Sequence, residues 1–453
     1  MDKVMVINPL DNVEVHEDGH KYARRDIAEG ENIIKYGMPI GHATRPIAKG
    51  EHVHVDNVKT NLGEVLEYRY EPEFKDVERK PAPMIKAFRH ADGRIGIRND
   101  IWVIPLVGCV NRLAERLAAS CGGLALTHPY GCSQMGQDHE TTANMLAQFC
   151  HHPNAGGVLV VALGCENNTL ESFKVRLGDY SRLNIRFLRA QDPGDEYERG
   201  LALLKELEAA RPRERVEVPA SELVVGLKCG GSDGFSGLTA NPLVGRFSDW
   251  LAARGGSTIL TEVPEMFGAE TLLMKRCRTR DVFDKCVKMI NDFKDYYAAH
   301  HQVCYENPSP GNKAGGITTL EDKSLGCVQK GGSAPVEDVL LYGESVKRHG
   351  LSLLTGPGND LVASTVLAAA GCHLILFTTG RGTPFGCVVP TLKVATNDTL
   401  AANKPNWIDW NAMSNPDVEA FARMVLAVAS GEKAKNELNG AQGIAIFKDG
   451  VTL

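Results

Sequence analysis

The sequence lacks the features that mark nucleic-acid-binding, membrane-spanning or secreted proteins. Its 50 Lys and Arg residues are nearly balanced by 56 Asp and Glu, so the net charge of -6 gives no electrostatic reason to expect a polyanionic partner. No apolar run reaches the roughly 18 residues that a membrane span needs. The amino terminus, MDKVMVINPL, lacks the basic start, apolar stretch and cleavage site of a secretory signal. We therefore expect a cytoplasmic protein with neither a nucleic-acid nor a membrane partner.

Several catalytic and nucleotide-binding fingerprints are also missing. There is no G-x-x-x-x-G-K-[ST] loop and no G-x-S-x-G elbow, and CGGSDGFSG breaks the dinucleotide spacing G-x-G-x-x-G. ATP, NAD and serine-hydrolase chemistry are thus disfavoured. The 12 cysteines show neither C-x-x-C zinc spacing nor a disulfide-like pattern. In a reducing compartment they stay free thiols, most of them small core residues.

The 453 residues are enough for about three domains. Residues 1–68 contain short β-type runs and predict a small β domain, whereas 69–83 are charged and proline-rich and predict a linker. From residue 84 onward, apolar runs alternate with amphipathic stretches, which predicts α/β units around a mainly parallel sheet. A charged, proline-containing stretch over 209–221 separates a middle α/β domain, 84–215, from a carboxyl-terminal domain, 216–453.

Many of the 46 glycines follow predicted strands. Seven apolar runs end in such polar or glycine-rich loops: 101–106, 124–127, 157–163, 223–227, 258–260, 351–354 and 373–377. In open α/β sheets, ligands bind beyond the carboxyl ends of the strands, where glycine allows close backbone approach. The glycine loops therefore predict a ligand site at that edge.

Two sets of residues could hold a metal. Cys132, Cys165 and Cys229 each adjoin glycine in a strand-end loop, and three thiolates can bind a metal ion or an iron-sulfur cluster. The alternative set is Asp233, Glu262 and Glu265, whose oxygens suit Fe(II) or another divalent cation. The plainer interpretations, buried small thiols and helix-start acids, stay open for both sets.

Other polar residues in the same loops suit acid/base chemistry and the binding of an acidic small molecule. Histidine titrates near neutrality, and fixed cations pair with a substrate carboxylate. The acid/base candidates are His20, His54 and His128. The substrate-binding candidates are Arg94, Arg98, Ser232, Asn312, Lys313, Arg381 and Thr383.

Long motifs along the chain resemble the altronate and galactarate dehydratase family, which includes sulfolactate sulfo-lyase relatives. They are GHKYA, KYGMPIG, DGRIGIRN, VGCVN, HPYGCSQ, LGCEN, CGGSDGFSG, LTEVPEMFGAE, NPSPGNKAGGITTLEDKSLG and TTGRGTPFG. EVPEMFGAE and TTLEDKSLG resemble the altronate branch more closely than the galactarate branch. The segment before GHK is shorter than is usual in the family.

The resemblance implies a β-clip (SAF-type) amino-terminal domain, a middle domain that can mediate dimerisation and a Rossmann-like catalytic domain. It implies a hydro-lyase that dehydrates D-altronate to 2-keto-3-deoxy-D-gluconate with Fe(2+) or another divalent cation. The alternatives are a lyase for galactarate or sulfolactate, or a non-catalytic sugar-acid sensor. Dehydration would remove the proton next to the carboxylate and then the β-hydroxyl group, with metal assistance.

Overall fold

The computed structural model describes residues 4–62, 68–303 and 307–450. The amino-terminal part consists of two small antiparallel sheets, ordered β1-β2-β5 and β3-β4-β6. Their strands are β1 (Val13–Val15), β2 (Lys21–Ala23), β3 (Asn32–Lys35), β4 (Met38–Ala43), β5 (His52–Val53) and β6 (Val58–Lys59). Alternating apolar side chains such as Val13, Ile33 and Val53 are buried and belong to one apolar cluster. This all-β module confirms the predicted amino-terminal domain class.

A four-stranded parallel sheet, ordered β10-β9-β11-β12, forms the middle of the chain. The strands are β9 (Asp100–Pro105), β10 (Leu124–Ala125), β11 (Ala155–Ala162) and β12 (Ile185–Arg189), and the helices are α1 (Asn111–Cys121), α2 (Gly136–Cys150), α3 (Leu170–Leu177) and α4 (Glu196–Ala210). Every residue of β11 is buried, as expected for a parallel strand covered by helices on both faces.

A third small sheet joins the segments before and after this middle unit. It is ordered β13-β7-β8 and contains β7 (Met84–Arg89), β8 (Ile95–Gly96) and β13 (Val216–Pro219). Strand β7 pairs antiparallel with β13, and Ile85, Ala87 and Val218 belong to the same apolar core as the carboxyl-terminal sheet. The first strand after the predicted linker thus pairs with the segment beyond residue 215.

The carboxyl-terminal part contains a seven-stranded sheet, ordered β16-β17-β15-β14-β18-β19-β20, in which every pairing is parallel. The strands are β14 (Val224–Cys229), β15 (Ser257–Leu260), β16 (Val336–Leu340), β17 (Gly350–Leu354), β18 (Leu374–Thr379), β19 (Thr391–Ala395) and β20 (Trp410–Asn411). The helices are α5 (Ala240–Ala253), α6 (Glu270–Met274), α7 (Arg280–Ala299), α8 (Pro310–Ala314), α9 (Leu320–Cys327), α10 (Asp360–Ala369), α11 (Asp398–Asn403), α12 (Val418–Ala429) and α13 (Lys435–Leu438). This sheet confirms the predicted mainly parallel, Rossmann-like architecture.

The strand order reverses direction at β14. The chain passes from β14 to β15 on one side of the sheet and later returns to place β18 on the other side. Such a switch point opens a crevice beyond the carboxyl ends of the two strands. The loops that begin at Cys229 and Thr379 face each other there, and the backbone N–H groups of Gly380 and Arg381 both donate to the carbonyl oxygen of Gly231.

Side-chain caps fix where several helices begin. Thr169, Asp195, Asn359 and Asp417 each accept backbone N–H groups at the start of α3, α4, α10 and α12. Among the described residues, no helix combines the length and apolar character required to cross a bilayer.

Candidate active site

A cavity of about 840 Å³ lies between the amino-terminal β domain and the carboxyl edge of the seven-stranded sheet. Asp18 and Gly19 line it from the β domain, whereas Asp233, Arg381 and Lys404 line it from the sheet side. Arg381 and Lys404 can each pair with a substrate carboxylate, although acidic side chains from both sides share the lining. The cavity lies at the edge of the sheet where the glycine-rich loops predict a ligand site.

Asp233 is the buried acid of this cavity. Its carboxylate accepts hydrogen bonds from Thr396 Oγ1 at 2.8 Å, Asn397 Nδ2 at 2.9 Å and Ser236 Oγ at 3.0 Å. Burial raises the pKa of Asp233, although these hydrogen bonds oppose the rise. A carboxyl group with a raised pKa can exchange protons closer to neutral pH than an exposed one.

Glycine allows the β domain to approach the sheet loops closely. A Cβ added to Gly234 would lie 1.8 Å from the carbonyl oxygen of Gly19, and one added to Gly316 would lie 2.2 Å from the same atom. Gly316 also has a φ of +95°, which disfavours any side chain. These glycines are therefore required by backbone contact between the two parts of the chain.

Three histidines of the β domain form a cluster beside the cavity. Nδ1 of His20 lies 3.0 Å from Nε2 of His52, and the His54 ring is 5.4 Å from that of His20 and 5.1 Å from that of His52. Nε2 of His54 lies 2.9 Å from the carbonyl oxygen of Lys313. Burial lowers the pKa of His20 and of His52, and the neighbouring imidazoles lower both further. Neutral imidazoles in this position can accept a proton.

A second cluster of reactive groups is buried behind the carboxyl end of β14. The Sγ atoms of Cys229 and Cys327 are 3.4 Å apart, and Oε2 of Glu265 lies 3.0 and 3.1 Å from them. All three side chains are buried, and their ligating atoms lie close enough together to hold one metal ion. We call these three residues the Cys-Glu-Cys group.

Three buried lysines surround the Cys-Glu-Cys group. Lys330 Nζ lies 2.8 Å from Cys229 Sγ, Lys323 Nζ lies 2.8 Å from Glu265 Oε1, and Lys228 pairs with Glu262. Burial alone would raise the pKa of Glu265, but Lys323 and Lys330 hold it well below its ordinary value. Charged groups buried in this way remain ionised only because each has a close partner of opposite sign.

The backbone at Glu262 is strained. Its φ of +72° lies in the left-handed region, which residues with side chains rarely adopt. In this conformation Glu262 accepts the backbone N–H of Cys229 at 3.0 Å and pairs with Lys228. The strained backbone therefore holds the Glu262 carboxylate against Lys228 and the N–H of Cys229.

A buried ion triplet joins the β domain to α9. Asp322 accepts from Lys21 at 2.8 Å and from Lys35 at 3.0 Å, and all three side chains are buried. The sequence patterns indicated none of these residues, nor Lys228, Lys323, Lys330 and Cys327. Lysines in apolar or glycine-rich strings, as in GHKYA and VGLKCGG, are the signal that could have found them, because lysine is rarely buried without a function or a partner.

Comparisons with known proteins cover nearly the whole chain. Residues 11–61 match the family model of the altronate/galactarate dehydratase SAF domain. Residues 87–210 match the second domain of D-galactarate dehydratase/altronate hydrolase, and residues 220–452 match the carboxyl-terminal domain of D-galactarate/altronate dehydratase. Altronate dehydratase of Bacillus subtilis (strain 168) is 54% identical over 98% of this chain and 94% of its own length. Altronate dehydratase of Escherichia coli (strain K12) is 52% identical over 96% and 92%.

This chain belongs to the altronate and galactarate dehydratase family. A more distant relative is galactarate dehydratase (L-threo-forming) of Escherichia coli (strain K12), at 31% identity over 94% of this chain and 88% of the relative. The resemblance found in the sequence motifs is thus confirmed, and the amino-terminal β module is the family's SAF domain.

Within this dehydratase fold, the structure brings one part of the predicted substrate set to the cavity. Arg381 lines it directly, and so does Asp233, which was predicted as a metal ligand in the alternative set. The backbone carbonyl of Ser232 accepts from Nδ2 of the buried Asn312, and that of Lys313 contacts His54. Thr383 accepts the backbone N–H of Phe385 in the Arg381 loop.

The two predicted arginines of DGRIGIRN lie elsewhere in the dehydratase chain. Arg98 is buried in a two-pronged ion pair with Glu437, at 2.6 and 2.8 Å, and also donates to backbone carbonyl groups. Arg94 pairs with Asp92 at its own turn. Both guanidinium groups therefore have structural partners away from the cavity.

His128 lies in the middle domain, with both ring nitrogens engaged by backbone. Nε2 lies 2.8 Å from the carbonyl oxygen of Pro105, and Nδ1 accepts the N–H of Tyr130. Burial lowers the pKa of His128 to about 4. These contacts make it a neutral residue that fixes the loop before Cys132.

The predicted three-cysteine set is divided between two sheets. Cys132 and Cys165 are exposed on loops of the middle domain, whereas Cys229 is buried with Glu265 and Cys327. In the described ranges, the Cys-Glu-Cys group is the one set of three possible metal ligands whose ligating atoms all lie within 4.8 Å of one another. Cys229 of the first predicted set thus meets Glu265 of the alternative set, a combination that the sequence did not indicate.

Proposed function

We propose that the protein is a hydro-lyase that converts D-altronate into 2-keto-3-deoxy-D-gluconate and water. The observation that carries the proposal is the near-full-length similarity to two altronate dehydratases at 54% and 52% identity. The named galactarate dehydratase is much less similar, at 31%. The cavity with Arg381, Lys404 and Asp233 supports an anionic polyhydroxy substrate.

The reaction needs three kinds of group. A base removes the proton from the carbon next to the carboxylate, and an acid gives a proton to the β-hydroxyl group, which leaves as water. The enol that results rearranges to the keto acid, so the atoms of altronate are recovered in the keto acid and one water molecule. A cation near the carboxylate stabilises the negative charge that develops when the first proton leaves.

We assign these roles to groups around the cavity. Arg381 and Lys404 bind the carboxylate, because they are the cations that line the cavity in the described structure. A neutral His20 or His52 of the histidine cluster is the base, since burial and the neighbouring imidazoles lower the pKa of both. Asp233, whose pKa is raised, is suited to protonate the departing hydroxyl group.

Fe(2+) or another divalent cation is the cofactor we propose. The donor chemistry of the Cys-Glu-Cys group fits such an ion, because two cysteine sulfur atoms and a carboxylate oxygen 3.0–3.4 Å apart match the edge of a metal coordination sphere. When bound, the ion would supply Lewis-acid chemistry. Lys330 and Lys323 already donate to this group, so we expect metal affinity to depend on their charge.

The remaining expectations have partial support. Free thiols at all eleven described cysteines suit a reducing, cytoplasmic location. The domain boundaries at 68, 84 and 215 stay a prediction, supported by family-model ranges that fall between them. Dimerisation through the middle domain also stays a prediction.

A direct assay tests the proposed function. Purified protein, loaded anaerobically with Fe(2+), is supplied with D-altronate, galactarate and sulfolactate in parallel, and keto-acid formation is measured. We expect turnover of altronate in preference to the other two acids, loss of turnover after chelation and recovery on returning iron. Preference for another acid would overturn the substrate assignment, and binding of altronate without product would identify a sensor instead of an enzyme.

A substitution at Asp233 tests whether this cavity residue takes part in the reaction. Asp233→Asn keeps the size of the side chain but removes the proton donor, so kcat should fall by at least about 100-fold. The matched control is Asp292→Asn on the exposed face of α7, which should leave kcat unchanged. Equal activity of both variants would exclude Asp233 from the reaction.

A further inference from the structure

The middle domain exposes three cysteines at one edge of its parallel sheet. Cys109, Cys132 and Cys165 follow strands β9, β10 and β11, and they are the exposed members of the eleven cysteines described. Free cysteine is among the most buried residue types, so three exposed thiols on neighbouring strands call for an explanation.

Backbone hydrogen bonds join the three loops to one another. The N–H of Gly108 donates to the carbonyl oxygen of Tyr130 at 2.9 Å, and that of Asn168 donates to Gly131 at 3.1 Å. The N–H of Ser133 donates to the side chain of Asn167 at 2.8 Å. The Cys132 loop is thus held between the Cys109 and Cys165 loops.

Each of these loops leads into a helix. Helices α1, α2 and α3 begin two to five residues beyond Cys109, Cys132 and Cys165. A helix amino terminus favours negative charge and lowers the free energy of a nearby thiolate. Three such termini at one sheet edge suit a group with several thiolates.

Two buried amide groups of the same loops have no hydrogen-bond partner. Nε2 of Gln134, two residues after Cys132, and Nδ2 of Asn168, three residues after Cys165, are buried donors without an acceptor among the described atoms. The two side chains are 5% and 2% exposed. Unpaired buried donors are rare and costly, and they indicate an acceptor that protein atoms do not supply.

We propose that Cys109, Cys132 and Cys165 bind an iron-sulfur cluster. Its sulfur atoms would accept the unpaired N–H groups of Gln134 and Asn168, as hydrogen bonds to cluster sulfur commonly do. Three thiolates leave one iron without a protein ligand and open to a small oxygen ligand. This inference does not depend on the proposed altronate activity.

A cluster explains the site better than a single ion. Among the described residues, one set of three possible metal ligands has its ligating atoms within 4.8 Å of one another, and it consists of Cys229, Glu265 and Cys327. The three exposed thiols are therefore spaced more widely than one ion requires. A cluster places its thiolates further apart. The nearby polar groups Glu166 and His128 are already bonded to backbone atoms and are not free to complete a zinc site.

Anaerobic reconstitution tests the inference. The full-length protein is incubated with ferrous iron, sulfide and a thiol reductant, and desalted. Absorption, iron and acid-labile sulfide are then measured. We expect a broad brown absorption with about four iron atoms per chain and an EPR signal on reduction. Absence of the chromophore from reconstituted protein would overturn the proposal.

Serine variants identify the ligands. The single variants Cys109→Ser, Cys132→Ser and Cys165→Ser should each lose most of the iron and sulfide, whereas Cys121→Ser, on the same domain, should keep them. Circular dichroism of each variant, measured before reconstitution, checks that it folds. Full iron and sulfide in a folded triple serine variant, or their loss in Cys229→Ser, would assign the cluster elsewhere and overturn the proposal.

Alkylation supplies a readout that is independent of colour. The cluster should protect the three exposed thiols from iodoacetamide, as measured by peptide mass spectrometry, and chelation should expose them again. Equal labelling before and after reconstitution would contradict binding at these thiols. Altronate turnover is measured on the same samples, so loss of the cluster and loss of dehydratase activity are scored separately.

Discussion

The ammonium of Lys330 lies 2.8 Å from the sulfur of Cys229, and both side chains are buried. Lys330 is also 3.7 Å from Glu262. Burial disfavours the charge of this lysine. Its pKa is nevertheless raised well above the ordinary value by Cys229, Cys327, Glu262 and Glu265. The contact therefore places a positive charge directly against the sulfur of a buried cysteine.

Replacing Lys330 with Met should destabilise the fold by about 3–5 kcal/mol, because it leaves buried negative charge without its partner. Urea unfolding measures the change. Lys288→Met, which removes a lysine from an exposed pair with Asp292, should cost less than about 0.5 kcal/mol. Similar midpoints for the two variants would contradict the buried charge network.

Gly234→Ala should destabilise the protein by roughly 1–3 kcal/mol or more, because the new Cβ would collide with the carbonyl oxygen of Gly19. Gly358→Ala is the matched control, since a Cβ there meets nothing within 4 Å. Thermal unfolding compares the two. A Gly234→Ala protein as stable as the control would show that the β domain does not pack this closely.

Arg381→Met should weaken altronate binding, because the guanidinium lines the cavity. The guanidinium also donates to the backbone carbonyl oxygen of Gly311 at 3.5 Å. We expect KM to rise by about 10-fold to 100-fold, the cost of one charge-assisted hydrogen bond. Steady-state kinetics measures it. Arg112→Met, on the exposed face of α1, is the control, and an unchanged KM for Arg381→Met would place the carboxylate elsewhere.

His52→Gln should shift the acid limb of the pH–rate profile. The pKa of His20 is lowered by burial, and the imidazole of His52 lies 3.0 Å from it, so charge on one disfavours charge on the other. Without His52, His20 should take up a proton at higher pH, and the fall in kcat on acidification should begin at higher pH. A profile identical to that of the unaltered protein would exclude this cluster from proton transfer.

His128 should make the protein less stable in acid. Its pKa is lowered by burial from 6.5 to about 4, so between these values the unfolded chain binds a proton that the folded chain does not. Stability should therefore fall as the pH decreases from about 6.5 to 4, by about 3 kcal/mol for this group. Denaturant unfolding at several pH values measures the slope.

The control for that slope is His128→Gln, which cannot be protonated. It should show a flatter dependence over the same range, whatever its absolute stability. His349→Gln, at an exposed position, should keep the slope of the unaltered protein. An unchanged slope in His128→Gln would refute the assignment.

The sequence by itself determined the architecture, because hydrophobic periodicity and turn residues are local signals. The runs at 101–106, 157–163, 223–227 and 373–377 form the central strands β9, β11, β14 and β18, with shifts of one or two residues at their ends. The edge strands β12, β16 and β20 were missed, as was β19 beside β20, because short or partly polar segments resemble loops. The glycine-rich strings and family motifs also identified the strand-end loops and the family.

Only the tertiary structure decided which side chains meet. Cys229 and Cys327 are 98 residues apart, and Lys21 and Asp322 are 301 apart, yet each pair is in contact because the topological crossover and domain packing bring their loops together. Sequence spacing carries no information about such long-range contacts. For the same reason, Cys229 was grouped with Cys132 and Cys165 in the sequence, whereas the fold buries it beside Glu265 and leaves the other two exposed beside Cys109.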